Sequence, residues 1–172
     1  QELNIMLAIF LKMFNADKSS TNETIPLEKK WLDNISWQYL ITGIEVSNYL
    51  ESNVLDVDYS ASAICLAKMF ELEINNSFVH WMRKEHSIQL PKYFNKYQPG
   101  KSANVSINSP RHSSVELNNS RNGKWLPPEM GKSKNIAIFN INENQWNAIG
   151  IKNARNFLHE WNTIHTIRNK AA

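Results

Sequence analysis

Trp161-Asn162-Thr163-Ile164-His165-Thr166-Ile167-Arg168-Asn169-Lys170-Ala171-Ala172 closes the sequence, and its pattern decides the fold class. Trp161, Ile164 and Ile167 recur at three-residue steps, and Phe157 and Leu158 extend the stripe upstream, as a helix with one apolar side requires. His165 falls between them, and Arg168 and Asn169 follow Ile167. Comparable periodicity recurs through most of the chain. The reading is therefore all-α, an up-and-down helical bundle with one long irregular insertion.

Working back from this segment, the last helix is predicted to begin near Asn144. Ile136-Ala137-Ile138-Phe139 fits either helix or strand, and Pro127-Pro128-Glu129 opens a short helix. Gln98 to Gly123 is rich in Ser, Asn, Pro and Gly and reads as a long exposed loop or ribbon, the insertion as a whole covering about 98–139. A short amphipathic piece is placed at Ile88 to Tyr97. A longer helix, capped by Asp58 and reaching Lys84, is expected to bury Ala63, Leu66, Ala67, Phe70, Ile74, Phe78 and Trp81. Pro26 suits the first turn of another, which runs to about Leu50 with Leu32, Ile35, Tyr39, Val46 and Leu50 along one side. Gly43 within it costs about 1 kcal/mol relative to Ala, so a close helix approach is expected there. Leu3, Met6, Leu7, Phe10, Leu11 and Phe14 mark an amphipathic helix over Glu2 to Ala16, with a polar loop behind it. Residues 1–27 are thus read as a helix and loop preceding a helical domain over 28–172.

A chain of 172 residues is long enough for one apolar core. Its net charge of +3, from 19 Lys and Arg against 16 Asp and Glu, does not by itself indicate a nucleic-acid partner. The single cysteine, Cys65, excludes an internal disulfide framework and a multi-thiolate zinc site. Within Ala63-Ile64-Cys65-Leu66-Ala67 it reads as a buried inert thiol in a reducing, cytoplasmic setting. No stretch is long and apolar enough to predict a membrane span, and the N-terminal apolar run lacks the basic region and cleavage site of a signal peptide. A first residue that is not Met suggests a piece of a longer polypeptide.

Arg168-Asn169 is the leading chemical feature. Metal-independent RNA cleavage uses the RNA's own 2′-hydroxyl as nucleophile. A His, whose unperturbed pKa is about 6.5, serves as acid or base near neutrality. An Arg fork matches phosphate oxygens and stabilises charge on the pentacoordinate phosphorus. An Asn amide can orient either one. One helical turn between Arg and His sets both on one face.

Those residues also carry a family resemblance. Arg168-Asn169 on a closing helix, Asp58-Tyr59-Ser60 leading into Ala67-Lys68-Met69-Phe70-Glu71-Leu72-Glu73-Ile74-Asn75, and the Trp31 to Leu50 segment together resemble the HEPN superfamily over about residues 28–172. The resemblance implies a helical bundle that dimerises and brings two Arg…His motifs into one cleft. It implies a metal-independent endoribonuclease, an effector of a bacterial toxin–antitoxin or antiphage system. It carries over Arg168 as the phosphate contact and Asn169 as its polar neighbour. The motif His is expected one position beyond Ala172, and a fragment without it should be inactive. Many HEPN relatives are noncatalytic, so the alternative is a helical dimerisation or partner-binding module of a multidomain defence protein.

Supporting residues follow by position. His165 precedes Arg168 by three residues on the same helix. Arg155 and His159 repeat an Arg-Asn…His pattern at i and i+4. Glu71 is placed to orient an Arg from a neighbouring helix. Lys92, Lys96, Arg121 and Lys124, interleaved with Tyr93 and Tyr97, have the composition of a single-stranded RNA surface. No His, Cys, Asp and Glu spacing suits a metal, and Gly131-Lys132-Ser133 lacks the upstream glycine of a phosphate-binding loop. The expected cofactor is none, and the expected partners are RNA, a second copy of the chain, and a partner domain or antitoxin.

Overall fold

The computed structural model describes residues 32–53, 58–88, 96–107 and 113–172. The expected helix over Glu2 to Ala16, the Pro26 start, and most of the Ile88 to Tyr97 piece lie outside these residues. The described chain is mainly helical with two short β-hairpins, so all-α is too narrow a description. In order it forms α1 (Asn34–Asn53), α2 (Ser60–Ile74), a π-helical turn (Asn75–Val79), α3 (His80–Glu85), β1 (Asn104–Ser106), β2 (Ser114–Glu116), β3 (Asn119–Arg121), β4 (Lys124–Leu126), α4 (Met130–Asn140), α5 (Glu143–Ala148) and α6 (Ala154–Ala171). It divides into two compact units. The first holds residues up to Glu73 together with His159–Ala172, and the second holds Ile74–Leu158.

In the first unit, Asp33 caps α1 by accepting the Ile35 N–H at 2.8 Å, and its own N–H donates to Glu73 Oε1 at 3.1 Å. Asp58 does the same for α2, accepting from Ser60 N at 2.9 Å. The buried side of α1 is not the expected one. Ile35 is 54 % exposed and Tyr39, Val46 and Leu50 are only half-buried, whereas Ser36, Leu40, Gly43 and Ser47 are buried. Small residues at one-turn spacing let two helix backbones come close, so size rather than hydrophobicity chose the face. A Cβ on Gly43 would stand 3.2 Å from Leu66 Cδ2 and 3.3 Å from Cys65 Cβ, and the Ser62 hydroxyl donates to the Gly43 carbonyl. On α2, Ala63, Leu66, Ala67 and Phe70 are buried as the periodicity predicts.

The second unit is built differently. The π turn adds a residue to the helical path after Ile74; Phe78 and Val79 within it and Met82 and Arg83 beyond it are buried, while the expected Trp81 is half-buried. Phe78 stacks on Trp146 with ring centroids 5.8 Å apart, and Trp146 meets Phe157 at 5.7 Å. The hairpins fill much of the expected irregular insertion. In the first, Val105 and Val115 pair across the strands and are both buried. In the second, Asn122 and Gly123 both take positive φ, 54° and 73°, as a two-residue primed turn demands. Ile136 to Phe139 is helix, within α4. The expected single last helix is two. An Asn142–Gln145 capping box starts α5, Gly150 at φ 84° ends it, and α6 follows from Ala154.

Gly43 gives a direct stability test. Gly43→Val should lower the free energy of unfolding by about 2–3 kcal/mol, because a branched side chain meets Leu66 and Cys65 at contact distance. Gly43→Ala should stay within about 1 kcal/mol of the parent, its helix-propensity gain offsetting the tighter contact. Thermal and urea unfolding of the two variants measure the difference.

Candidate functional site

The C-terminal half of α6 is held by Trp161, Ile164 and Ile167, all buried. Trp161 is fully enclosed and meets Phe70 of α2 edge to face, with centroids 5.9 Å apart at 79°. With that stripe fixed, Arg168 and His165 lie half-buried and Asn169 is exposed. Arg168 Nη1 donates to Asn169 Oδ1 at 3.2 Å, and Asn169 Nδ2 stands 3.3 Å from His165 Nε2. The i, i+4 spacing of His165 and Asn169 puts them one turn apart on one face. One amide therefore lies between a cationic fork and an imidazole ring nitrogen, on the same turn of the helix. Cations in this last turn also face the negative end of the helix dipole.

The other expected residues are distributed as follows. Glu71 pairs with Lys68 Nζ at 2.7 Å on its own helix. Arg155 and His159 are both exposed on α6, Arg155 in the second unit and His159 in the first. Arg121 and Lys124 are exposed on β3 and β4, Lys96 is exposed and Tyr97 half-buried. Lys92 and Tyr93 lie outside the described residues. Among the described residues, no group of three or more His, Cys, Asp or Glu could hold a metal ion. No described helix is long and apolar enough to cross a membrane.

A second cluster, not foreseen from the sequence, occupies the second unit. Arg83 on α3 is 1 % exposed. Its Nη2 donates to the Lys96 carbonyl at 2.7 Å and to Asn118 Oδ1 at 2.8 Å, and Nη1 lies 3.3 Å from His80 Nδ1. The guanidinium carbon sits 4.5 Å from the Trp125 ring centroid, and the His80 ring stands 4.7 Å from the same indole. Trp125 Nε1 donates to the Leu117 carbonyl at 2.9 Å. Asn118, also buried, accepts from Gln98 N and donates through Nδ2 to the Gln98 and Lys101 carbonyls. Burial lowers the Arg83 pKa to about 10, with the Glu116 charge acting the other way. Burial, reinforced by the Arg83 and Lys84 cations, lowers His80 to about 3. A His that remains neutral across the physiological range and faces an enclosed Arg is an anchor for the ribbon rather than a proton carrier. The Asn122-Gly123 turn signals the hairpin that sets Trp125 opposite Ser120, but nothing local in the sequence ties that indole to Arg83.

No protein-family model, no curated protein and no solved structure matches this sequence.

Two expectations follow from the Arg83 cluster. Arg83→Met should cost about 2–4 kcal/mol by removing the donors that Asn118 and the Lys96 carbonyl use, as urea unfolding would report. The unfolded chain takes a proton on His80 near pH 6.5, and the folded one only near pH 3. Between those values the unfolded state binds more protons, so stability is full above pH 6.5 and falls as pH drops towards 3. His80 adds up to about 1.4 kcal/mol per pH unit to that slope. His80→Gln should flatten the dependence of the urea midpoint between pH 7 and pH 4.5.

Proposed function

We propose that this chain is a HEPN-like domain whose reactive centre is the His165–Asn169–Arg168 run at the end of α6, acting as a metal-independent endoribonuclease in bacterial antiphage defence or a toxin system. The observation that carries the reading is the Asn169 amide lying between an imidazole nitrogen and a guanidinium fork. In such a reaction the 2′-oxygen of RNA bonds to the adjacent phosphorus and gives its proton to a base. The bond from phosphorus to the 5′-oxygen breaks, and that oxygen takes a proton from an acid. The products are a 2′,3′-cyclic phosphate and a 5′-hydroxyl. Arg168 holds the charge building on the non-bridging oxygens. A base and an acid are both needed, so two copies of the array facing each other in a homodimer complete the chemistry where one supplies half of it.

A second reading, a noncatalytic dimerisation or partner-binding module of a defence protein, draws on one observation. Ile35 and Tyr49 lie about four turns apart on one side of α1 and are 54 % and 66 % exposed.

The test is incubation of end-labelled single-stranded RNA with the complete product of the encoding gene in excess EDTA. Cleavage that persists in EDTA, leaves cyclic phosphate ends and drops by about two orders of magnitude or more in Arg168→Ala supports the nuclease. A dimer that forms normally and leaves RNA intact refutes it in favour of the interaction module.

A further inference from the structure

The β3–β4 hairpin carries a feature that its own stability does not explain. Asn119 pairs with Leu126, Ser120 with Trp125, and Arg121 with Lys124. Ser120 and Trp125 take the half-buried side, where the indole is engaged by Arg83, by His80 and by the Leu117 carbonyl. Strand alternation leaves Asn119, Arg121, Lys124 and Leu126 on the opposite side, and all four are exposed. Arg121 and Lys124 stand directly across from each other beside the turn, where Cβ atoms are about 5 Å apart and like charges repel. Glu116 is the one acid among residues 96–128, and its carboxylate already accepts from the Ser102 hydroxyl and from the Ala103 and Asn118 N–H groups. Lys96 and Lys101 are exposed on the adjoining loop, and their carbonyls are tied to Arg83 and Asn118. The result is a hairpin whose outer face carries two facing cations and no carboxylate, held at a mutual cost that a bound anion would relieve.

We infer that the outer face of this hairpin binds the phosphate backbone of single-stranded RNA, with Arg121 and Lys124 as the contacts. The inference rests on the RNA reading given under the proposed function, to which it adds a substrate-holding surface remote in sequence from Arg168. Because the Trp125 ring is occupied by Arg83 and His80, the hairpin offers charge rather than base stacking. Binding there is independent of sequence and falls steeply with salt.

Fluorescence anisotropy with a labelled 2′-O-methyl oligouridylate tests this, since that probe has no free 2′-hydroxyl and cannot be cut. Arg121→Glu/Lys124→Glu should weaken binding at least about tenfold near 50 mM salt, and should reduce the log–log salt slope by about 1.4, two contacts at about 0.7 each. Arg121→Gln/Lys124→Gln, which keeps polar side chains without reversing charge, should show the same slope change. Lys152→Glu, an exposed change in the same unit with the charge change of the double glutamine variant, should leave affinity within about twofold. Unchanged affinity in the double variants, no binding by the parent at low salt, or an equal loss in Lys152→Glu each overturns the proposal. Binding that persists while RNA cleavage fails would count against the α6 array alone, and cleavage with unchanged binding in the hairpin variants would count against the hairpin alone.

Discussion

Carrying the Arg83 guanidinium into an interior where it is 1 % exposed costs solvation that only a well-placed set of partners can offset. The second unit is arranged to supply them. Two acceptors come from opposite sides of the loop, the Lys96 carbonyl and the Asn118 amide, while an indole covers the planar face and an unprotonated imidazole lies beside it. Each of those partners is itself secured, Asn118 by the Gln98 and Lys101 backbones and Trp125 by the Leu117 carbonyl. A ribbon of three-residue strands has too little apolar surface to hold its place by burial alone. One buried charge with directional donors does what a larger core would otherwise do. A lysine could not substitute, because a point charge has neither the planar fork nor the face that stacks on tryptophan.

The helices were legible in the sequence where apolar side chains fill space and illegible where small ones do. On α2 the stripe of Ala63, Leu66, Ala67 and Phe70 follows the periodicity, and on α6 Trp161, Ile164 and Ile167 do the same. On α1, hydrophobicity pointed to Ile35 and Tyr39, yet the contact face is Ser36, Leu40, Gly43 and Ser47, because close approach of two backbones rewards the absence of a side chain. Gly43 alone signalled this in advance. Breaks were harder still. Gly150 splits the expected final helix, and the Asn122-Gly123 turn turns an apparent loop into a hairpin, both through positive φ values that pattern-matching on hydrophobicity does not register.

The site residues divide along the same line. His165, Arg168 and Asn169 were found together because they are neighbours on one helix, where spacing fixes proximity. Arg83, His80, Asn118 and Trp125 meet through contacts between α3 and a ribbon some forty residues further on, and no local pattern announces such a meeting. Glu71 illustrates the remaining difficulty: expected to orient an Arg from a neighbouring helix, it pairs with Lys68, three residues away on its own.

The π turn at Asn75–Val79 has a genetic consequence. Each residue of an α-helix advances the chain by about 100°, so one additional residue in a turn swings everything after it by roughly that angle. His80 and Arg83 face the ribbon in that rotated frame. Loss of a single codon within this turn would therefore act less like a missing side chain than like a twist of the whole following helix, aiming the guanidinium away from its acceptors. The length of the segment is thus a coordinate of the fold, alongside the packing of its buried Phe78 and Val79.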